Sequence, residues 1–285
     1  MGKSYDDRYN EAMKRIKTVE IKEFKDIFQL ISEQPVDAAT NRNRSPYFYR
    51  GLPNAAYHLQ TSLQRNCGDK REALEKCLLR NFAKYAMETE HGARIATNDW
   101  TKMIIGQHHG LPTRLMDWSY SPLVALHFAL SESNPADYEK HDCTVWKINC
   151  VDLHDTLPDD YKMLLGTPQT AYIYTVDMLS KISLEEYDTD MEKGGSLLLL
   201  EPPSIDQRIV NQYSYFTVIP SYMDCMEEFL AEKLEKSTVR YVIDKSLRWR
   251  IRDMLDQINI NERILLPGLD GLAAWLKRYY YVKEK

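Results

Sequence analysis

Apolar residues recur at helical spacing between positions 21 and 31, where Ile21, Phe24, Ile27, Phe28 and Ile31 fall on one side of a predicted amphipathic helix. Tyr47-Phe48-Tyr49-Arg50-Gly51 reads as a short aromatic strand that closes at a glycine. Residues 71–90 predict a helix with Leu74, Cys77, Leu78, Phe82 and Tyr85 on one face. Ser121-Pro122 opens an apolar helix that runs to Leu130, with serine as N-cap and a proline whose missing N–H costs nothing in the first turn. Positions 143–148 alternate as a strand, and 196–200 and 215–219 predict two more, separated by Pro202-Pro203 and a short turn. A helix over 223–236, a strand over 239–243, a helix over 247–258 and a last helix around 267–276 complete the pattern. Residues 151–193 are acidic with few strong periodicities, and predict an excursion that carries its own helix.

Helices and strands mix without a regular βα repeat, which favours the α+β class over a doubly wound sheet. The expected architecture is a single mixed domain with a central, largely antiparallel sheet flanked by helices. Residues 1–20 read as an N-terminal extension and 21–285 as the domain, with 151–193 as an insertion. At 285 residues the chain is long enough to bury a substantial core. Its five cysteines are odd in number and lack metal or CxxC spacing, so reduced thiols and a cytoplasmic setting are expected. The first 23 residues are charged, without a signal-peptide pattern, and no run approaches the ~20 apolar residues of a membrane helix.

A net charge of −5 argues against wholesale nucleic-acid binding. Basic residues nonetheless gather at Arg42, Arg44, Arg50 and Arg65, and again at Arg240, Lys245, Arg248, Arg250 and Arg252. The tail Lys277-Arg278-Tyr279-Tyr280-Tyr281 adds rings able to stack on bases. Solvated faces are the simpler reading of these groups; a local nucleic-acid groove is the other.

The densest chemistry lies in Gln107-His108-His109-Gly110-Leu111-Pro112-Thr113-Arg114-Leu115-Met116-Asp117-Trp118-Ser119. This segment reads as too polar and too broken for a core helix or strand, and so as a binding or catalytic loop. Arg50 either offers its planar fork to a phosphate or pairs a buried carboxylate, and Gly51 beside it lets a ligand approach the backbone. His108 and His109 are able to stack, donate or shuttle protons. Thr113, Arg114 and Asp117 fit a loop-fixing salt bridge and caps, Trp118 a packing anchor and His127 a core-edge residue. Gln207 to Phe216 offers amides and a hydroxyl suited to ribose hydroxyls or base edges. GxGxxG, P-loop, HExxH and GxSxG signatures are absent, Asp188 and Asp190 lack the remaining ligands of a cation loop, and no metal site is expected.

Taken together, these segments resemble the FRG domain, a bacterial family named after its Phe/Tyr-Arg-Gly motif. That motif is Tyr49-Arg50-Gly51 here. The central block runs from Gln107 to Ser119 and on to Ala129, the Arg-Ile-x-x-Gln element is Arg208-Ile209 with Gln212, and Leu265 to Leu272 resembles the family's ending. The resemblance spans roughly 22–276. The order of elements also resembles that of ADP-ribosyltransferases, in which a strand arginine holds NAD and a late glutamate stabilises the ribosyl cation. That resemblance implies cofactor contacts from Arg50, Gly51, Gln107, His108, Thr113, Arg114, Asp117 and Ser119, and catalytic roles for His109, Gln212, Ser214 and Glu201. Ser214 stands where the glutamate is expected, and Glu201 is the residue able to replace its charge if the fold brings it near. The implied protein is an NAD-dependent enzyme modifying a protein or RNA, an intracellular toxin or anti-phage defence effector with a cognate antitoxin. The alternatives are a non-catalytic nucleotide or nucleic-acid binding module, and a nuclease or hydrolase using histidine acid–base chemistry.

Overall fold

Eight strands build the central sheet: β1 (Lys17–Ile21), β2 (Tyr47–Leu52), β3 (Leu115–Ser119), β4 (Cys143–Asn149), β5 (Tyr174–Thr175), β6 (Leu198–Glu201), β7 (Ser214–Val218) and β8 (Val239–Ile243). Their spatial order is β1-β8-β4-β2-β3-β7-β6-β5. The two edge pairings, β1 with β8 and β5 with β6, are parallel, and every pairing between them is antiparallel. This is a computed structural model that describes residues 3–32, 34–37, 40–165 and 172–283. It is the expected α+β class.

The helices that matter for the site are α1 (Tyr5–Arg15), α2 (Arg71–Ala86), α3 (Asp99–His108), α4 (Pro122–Ala129), α5 (Leu184–Gly194), α6 (Gln207–Gln212), α7 (Met226–Lys233), α8 (Arg248–Gln257) and α9 (Leu269–Tyr279). Pleat alternation sends Phe48, Met116, Trp118, Trp146, Ile148 and Leu199 to one face, where they pack with Ala12 of α1 and Phe229 and Leu230 of α7. The other face carries two separate cores. Tyr49, Val145 and Tyr241 lie under α4 and α8, through Ala125, Leu126, Ile251 and Leu255. Leu115, Leu198, Leu200, Phe216 and Val218 lie under α3 and α5, through Met103, Ile104, Tyr187 and Met191. The seam between these cores falls at β2 and β3. There the ladder has a single register pair, Tyr49 with Ser119, whereas β2 pairs with β4 along its whole length.

Four local expectations change. Residues 21–31 are not one helix: Ile21 ends strand β1, and a 3₁₀ turn (Phe24–Ile27) precedes a single helical turn (Phe28–Ile31). Backbone pairing with β8 takes Ile21 out of the helical series. Helix α2 exists, but Tyr85 is 76% exposed, and the buried side carries Glu75, Leu79 and Ala86. The 107–119 block is not a loop throughout. It contains the end of α3 and the internal strand β3, whose Leu115, Met116, Trp118 and Ser119 are buried while Asp117 is exposed. Between β6 and β7 the chain forms α6 rather than a short turn, capped by the Asp206 side chain accepting from Arg208 N–H. The 151–193 segment supplies edge strand β5 and helix α5, with Tyr187 and Met191 in the core. Its residues 166–171 lie outside the described part. Residues before 21 supply α1, which packs on α7, and β1.

Candidate functional site

Where β2 and β3 part, a cavity of about 820 Å³ opens. Its walls come from β2 and the following loop, the end of α3, β3, α4, α6 and the first residue of β7. Arg50 spans the gap: its Nη1 donates to the Asp117 carbonyl at 2.6 Å and lies 3.8 Å from the Asp117 carboxylate. Its Nε is buried without a hydrogen-bond partner among the described residues. Burial pushes the Arg50 pKa down, Asp117 opposes this and the Arg65 charge adds to it. An arginine nevertheless keeps its proton, so the cleft holds a half-paired, desolvated cation. Arg65 and Arg208 line the same cleft, and Asp117, 56% exposed, is the one carboxylate among its described lining residues.

Asp117 is oriented by a relay. Thr113 Oγ1 donates to Gln107 Oε1 at 2.6 Å, and Gln107 Nε2 donates to Asp117 Oδ2 at 2.9 Å. Thr113 itself is buried and fixed by Leu115 N–H. Gln107 and Asp117 therefore face the cleft, and Thr113 holds Gln107 from behind.

Gly51 lines the cleft, but ligand access does not explain the glycine. A Cβ there would meet the Ala125 carbonyl oxygen at 1.9 Å and the Ala129 nitrogen at 2.4 Å, so the glycine admits helix α4 against β2. Ser119 and Gln212 are also bound into the scaffold. Ser119 Oγ donates to the Gln212 carbonyl at 2.7 Å, and Gln212 Nε2 donates to the Leu265 carbonyl at 2.8 Å. The Leu265 to Leu272 ending thus holds α6, and α6 holds the cleft floor beside Ser214.

Residues 45–138 match the family model of the FRG domain. No curated protein and no solved structure matches the chain. The matched FRG segment contains Arg50, Arg65, Gln107 and Asp117, while Arg208, Gln212 and Ser214 reach the cleft from beyond it.

Five expected site residues stand outside the cleft: Thr113, behind Gln107, and His108, His109, Arg114 and Glu201. His108 pairs with Asp206 at 3.2 Å, and burial lowers its pKa against the pull of that carboxylate. His109 caps α3 in an exposed position, its ring 4.9 Å from that of His108. Arg114 points away from Asp117 into a buried ion network, bonded to both carboxylate oxygens of Glu75 and to Asp188 Oδ1 at 2.6 Å. Arg114 lies three residues before Asp117, an odd spacing that the pleat turns to the opposite face. Glu201 is exposed at the end of β6. Since Leu200 pairs with Phe216, Glu201 falls opposite Tyr215 and on the face away from Ser214. The sheet does not bring Glu201 to the cleft.

The later basic group is no surface stripe. Arg248 and Arg252 are completely buried, bonded to Glu132 and the His141 carbonyl and to His127 respectively. Arg240 donates to the Ala55 carbonyl, Arg250 lies over the Phe24 ring, and Tyr281 stacks on Trp249. Sequence reasoning missed the loop over residues 53–60, which brings Tyr57, His58 and Gln60 to the cleft, and the role of Arg208. Continuity with the Tyr-Arg-Gly strand was the available signal for the loop. Among the described residues no helix is long and apolar enough to cross a membrane.

Proposed function

We propose that the cleft binds NAD and that the chain transfers the ADP-ribose unit of NAD to a macromolecular acceptor, protein or RNA. The observation that carries this is the convergence of three guanidiniums, Arg50, Arg65 and Arg208, on a dinucleotide-sized cavity whose one described lining carboxylate is Asp117. Planar forks suit a pyrophosphate, and Arg50 is already desolvated and held in place. Transfer requires the bond from ribose C1′ to the nicotinamide nitrogen to break, with the electron pair leaving on nicotinamide. A fixed carboxylate beside C1′ stabilises the positive charge that develops there. Asp117, aimed by Gln107, takes this role in place of the absent glutamate, and Glu201 is withdrawn from it. A toxin or defence role, with a cognate antitoxin and a cytoplasmic setting, rests on the family resemblance and belongs to the same proposal.

One observation favours the second reading, a nucleotide-binding module without chemistry: Asp117 is tied to Gln107 and Arg50, and Ser214 is neutral. Incubation with NAD labelled in its adenine half, in cell lysate, separates the readings. Nicotinamide release with label on a macromolecule, lost in Asp117→Asn, supports transfer. NAD binding without turnover selects the module, and no binding removes both.

A further inference from the structure

The loop leaving β2 is pinned on both sides of His58. Ala55 N–H donates to the Asp142 carbonyl at 2.7 Å, Arg240 Nη2 donates to the Ala55 carbonyl at 2.7 Å, and Leu59 N–H donates to Glu227 Oε1 at 2.6 Å. Between these anchors His58 lines the cleft, its ring packed edge-on against Tyr5 at 5.3 Å and Tyr9 at 4.2 Å. Nδ1 of His58 is buried and makes no hydrogen bond among the described residues. Nε2 is therefore the ring nitrogen left to meet a ligand.

Behind the ring lies Glu227, completely buried at the start of α7. No lysine or arginine pairs with it among the described residues; its partners are the Leu59 N–H and the Cys225 thiol, at 3.7 Å. Burial raises the Glu227 pKa, and the Leu59 N–H and the His58 charge pull it back. The other titratable groups around the ring are Tyr5 and Tyr9 from α1, Cys225 before α7, Arg240 from β8, and Arg65 in the cleft wall. Burial pushes both phenols up and Cys225 up to about 12, so these three are neutral near pH 7. Glu227 is thus the buried carboxyl beside His58 whose charge would balance a proton gained by the ring. A rigid imidazole with one nitrogen toward a cleft and a buried carboxyl nearby, though not bonded to Nδ1, is placed to accept a proton from a ligand in the cleft.

We propose that His58 is the proton acceptor of the transfer step, an inference that rests on the transferase reading above. The C1′–nicotinamide bond breaks, and an oxygen or nitrogen of the acceptor forms the new bond to C1′. The acceptor's proton passes to His58 Nε2 and then to solvent, with Glu227 balancing the imidazolium.

The test uses the full chain with His58→Gln, His58→Ala and Glu227→Gln, the last keeping an oxygen for Leu59 N–H. NAD affinity is expected to stay within about twofold, while His58→Gln slows transfer by about a hundredfold or more. The acidic limb of the pH–rate profile should vanish with it, and added imidazole should restore part of the His58→Ala rate. Glu227→Gln should slow transfer severalfold without loss of NAD affinity, because the amide cannot balance the imidazolium. Unchanged transfer kinetics in His58→Gln, or in Glu227→Gln, overturns this inference alone. If the wild-type chain binds NAD without turnover, the transferase reading falls and takes the inference with it.

Discussion

The carbonyl oxygen of Ala125 occupies the place where a side chain on Gly51 would begin, 1.9 Å from the ideal Cβ position. Strand β2 and helix α4 touch through backbone, and that contact sets one wall of the cleft. Gly51→Ala is expected to destabilise the protein by about 3 kcal/mol, at the upper end of overpacking costs. The obstructing atoms are backbone, so Ala125→Gly in the same chain should not restore stability. Thermal melts of the single and double variants check both statements, and a melting temperature like wild type in Gly51→Ala would refute the packing argument.

Arg50→Lys should leave the melting temperature within a few degrees and weaken NAD binding by about tenfold or more. Lysine keeps the charge but cannot bond the Asp117 carbonyl and grip a phosphate with one planar group. Losing one charge-assisted hydrogen bond, about 1.5–3 kcal/mol, corresponds to such a factor. Calorimetric titration with NAD decides this, since equal affinity in the variant removes Arg50 as the phosphate clamp.

Arg248→Glu should unfold the chain rather than alter recognition of a polymer. Arg248 is fully buried beside Glu132, and reversal would place two carboxylates together out of water. Breaking a buried pair by losing one partner already costs about 3–5 kcal/mol. Circular dichroism of the variant is the direct check, and a folded, stable product would show that Arg248 is not the core residue described here.

Stability should fall steeply in acid through the C-terminal ion cluster. Burial alone would raise the Glu262 pKa, but its bonds to Arg278 and the Arg252 charge prevail and hold it at about 2. A carboxyl depressed in the folded state contributes stability that is fully present above its unfolded pKa, about 4.3. That contribution drains away as pH drops from there towards 2. Glu262→Gln should therefore be less stable than wild type at pH 7, with the gap narrowing below about pH 4 and closing only as pH falls to about 2. Denaturant midpoints for both proteins at those pH values measure it.

Strands β4 and β8, the aromatic strand β2 and the Ser121-capped helix α4 were legible in the amino-acid order. So was the α+β class; of the expected site residues, Arg50, Asp117 and Gln212 line one cleft, whereas His108 and His109 do not. The local signals behind the elements are alternation, capping and proline placement, which act within a few residues. The family's motif residues likewise occur in a readable order. Less visible was β3: pairing with β7 makes it an internal strand, and because its ladder to β2 ends at Ser119, the Asp117 side chain is left in a cavity.

Which motif residues reach the cleft was decided by tertiary structure, because register and pleat are set by partners far along the chain. Arg114 follows Thr113 by one position, yet it turns to Glu75 and Asp188, 39 and 74 residues away. Glu201 faces away from Ser214 because Leu200 pairs with Phe216. The Gly51 requirement comes from α4, and the placement of His58 comes from α1 and α7. A sequence records which chemistry each position carries and the local structure it favours. The direction that chemistry faces depends on long-range packing, and a shift of one residue in a strand exchanges core for cleft.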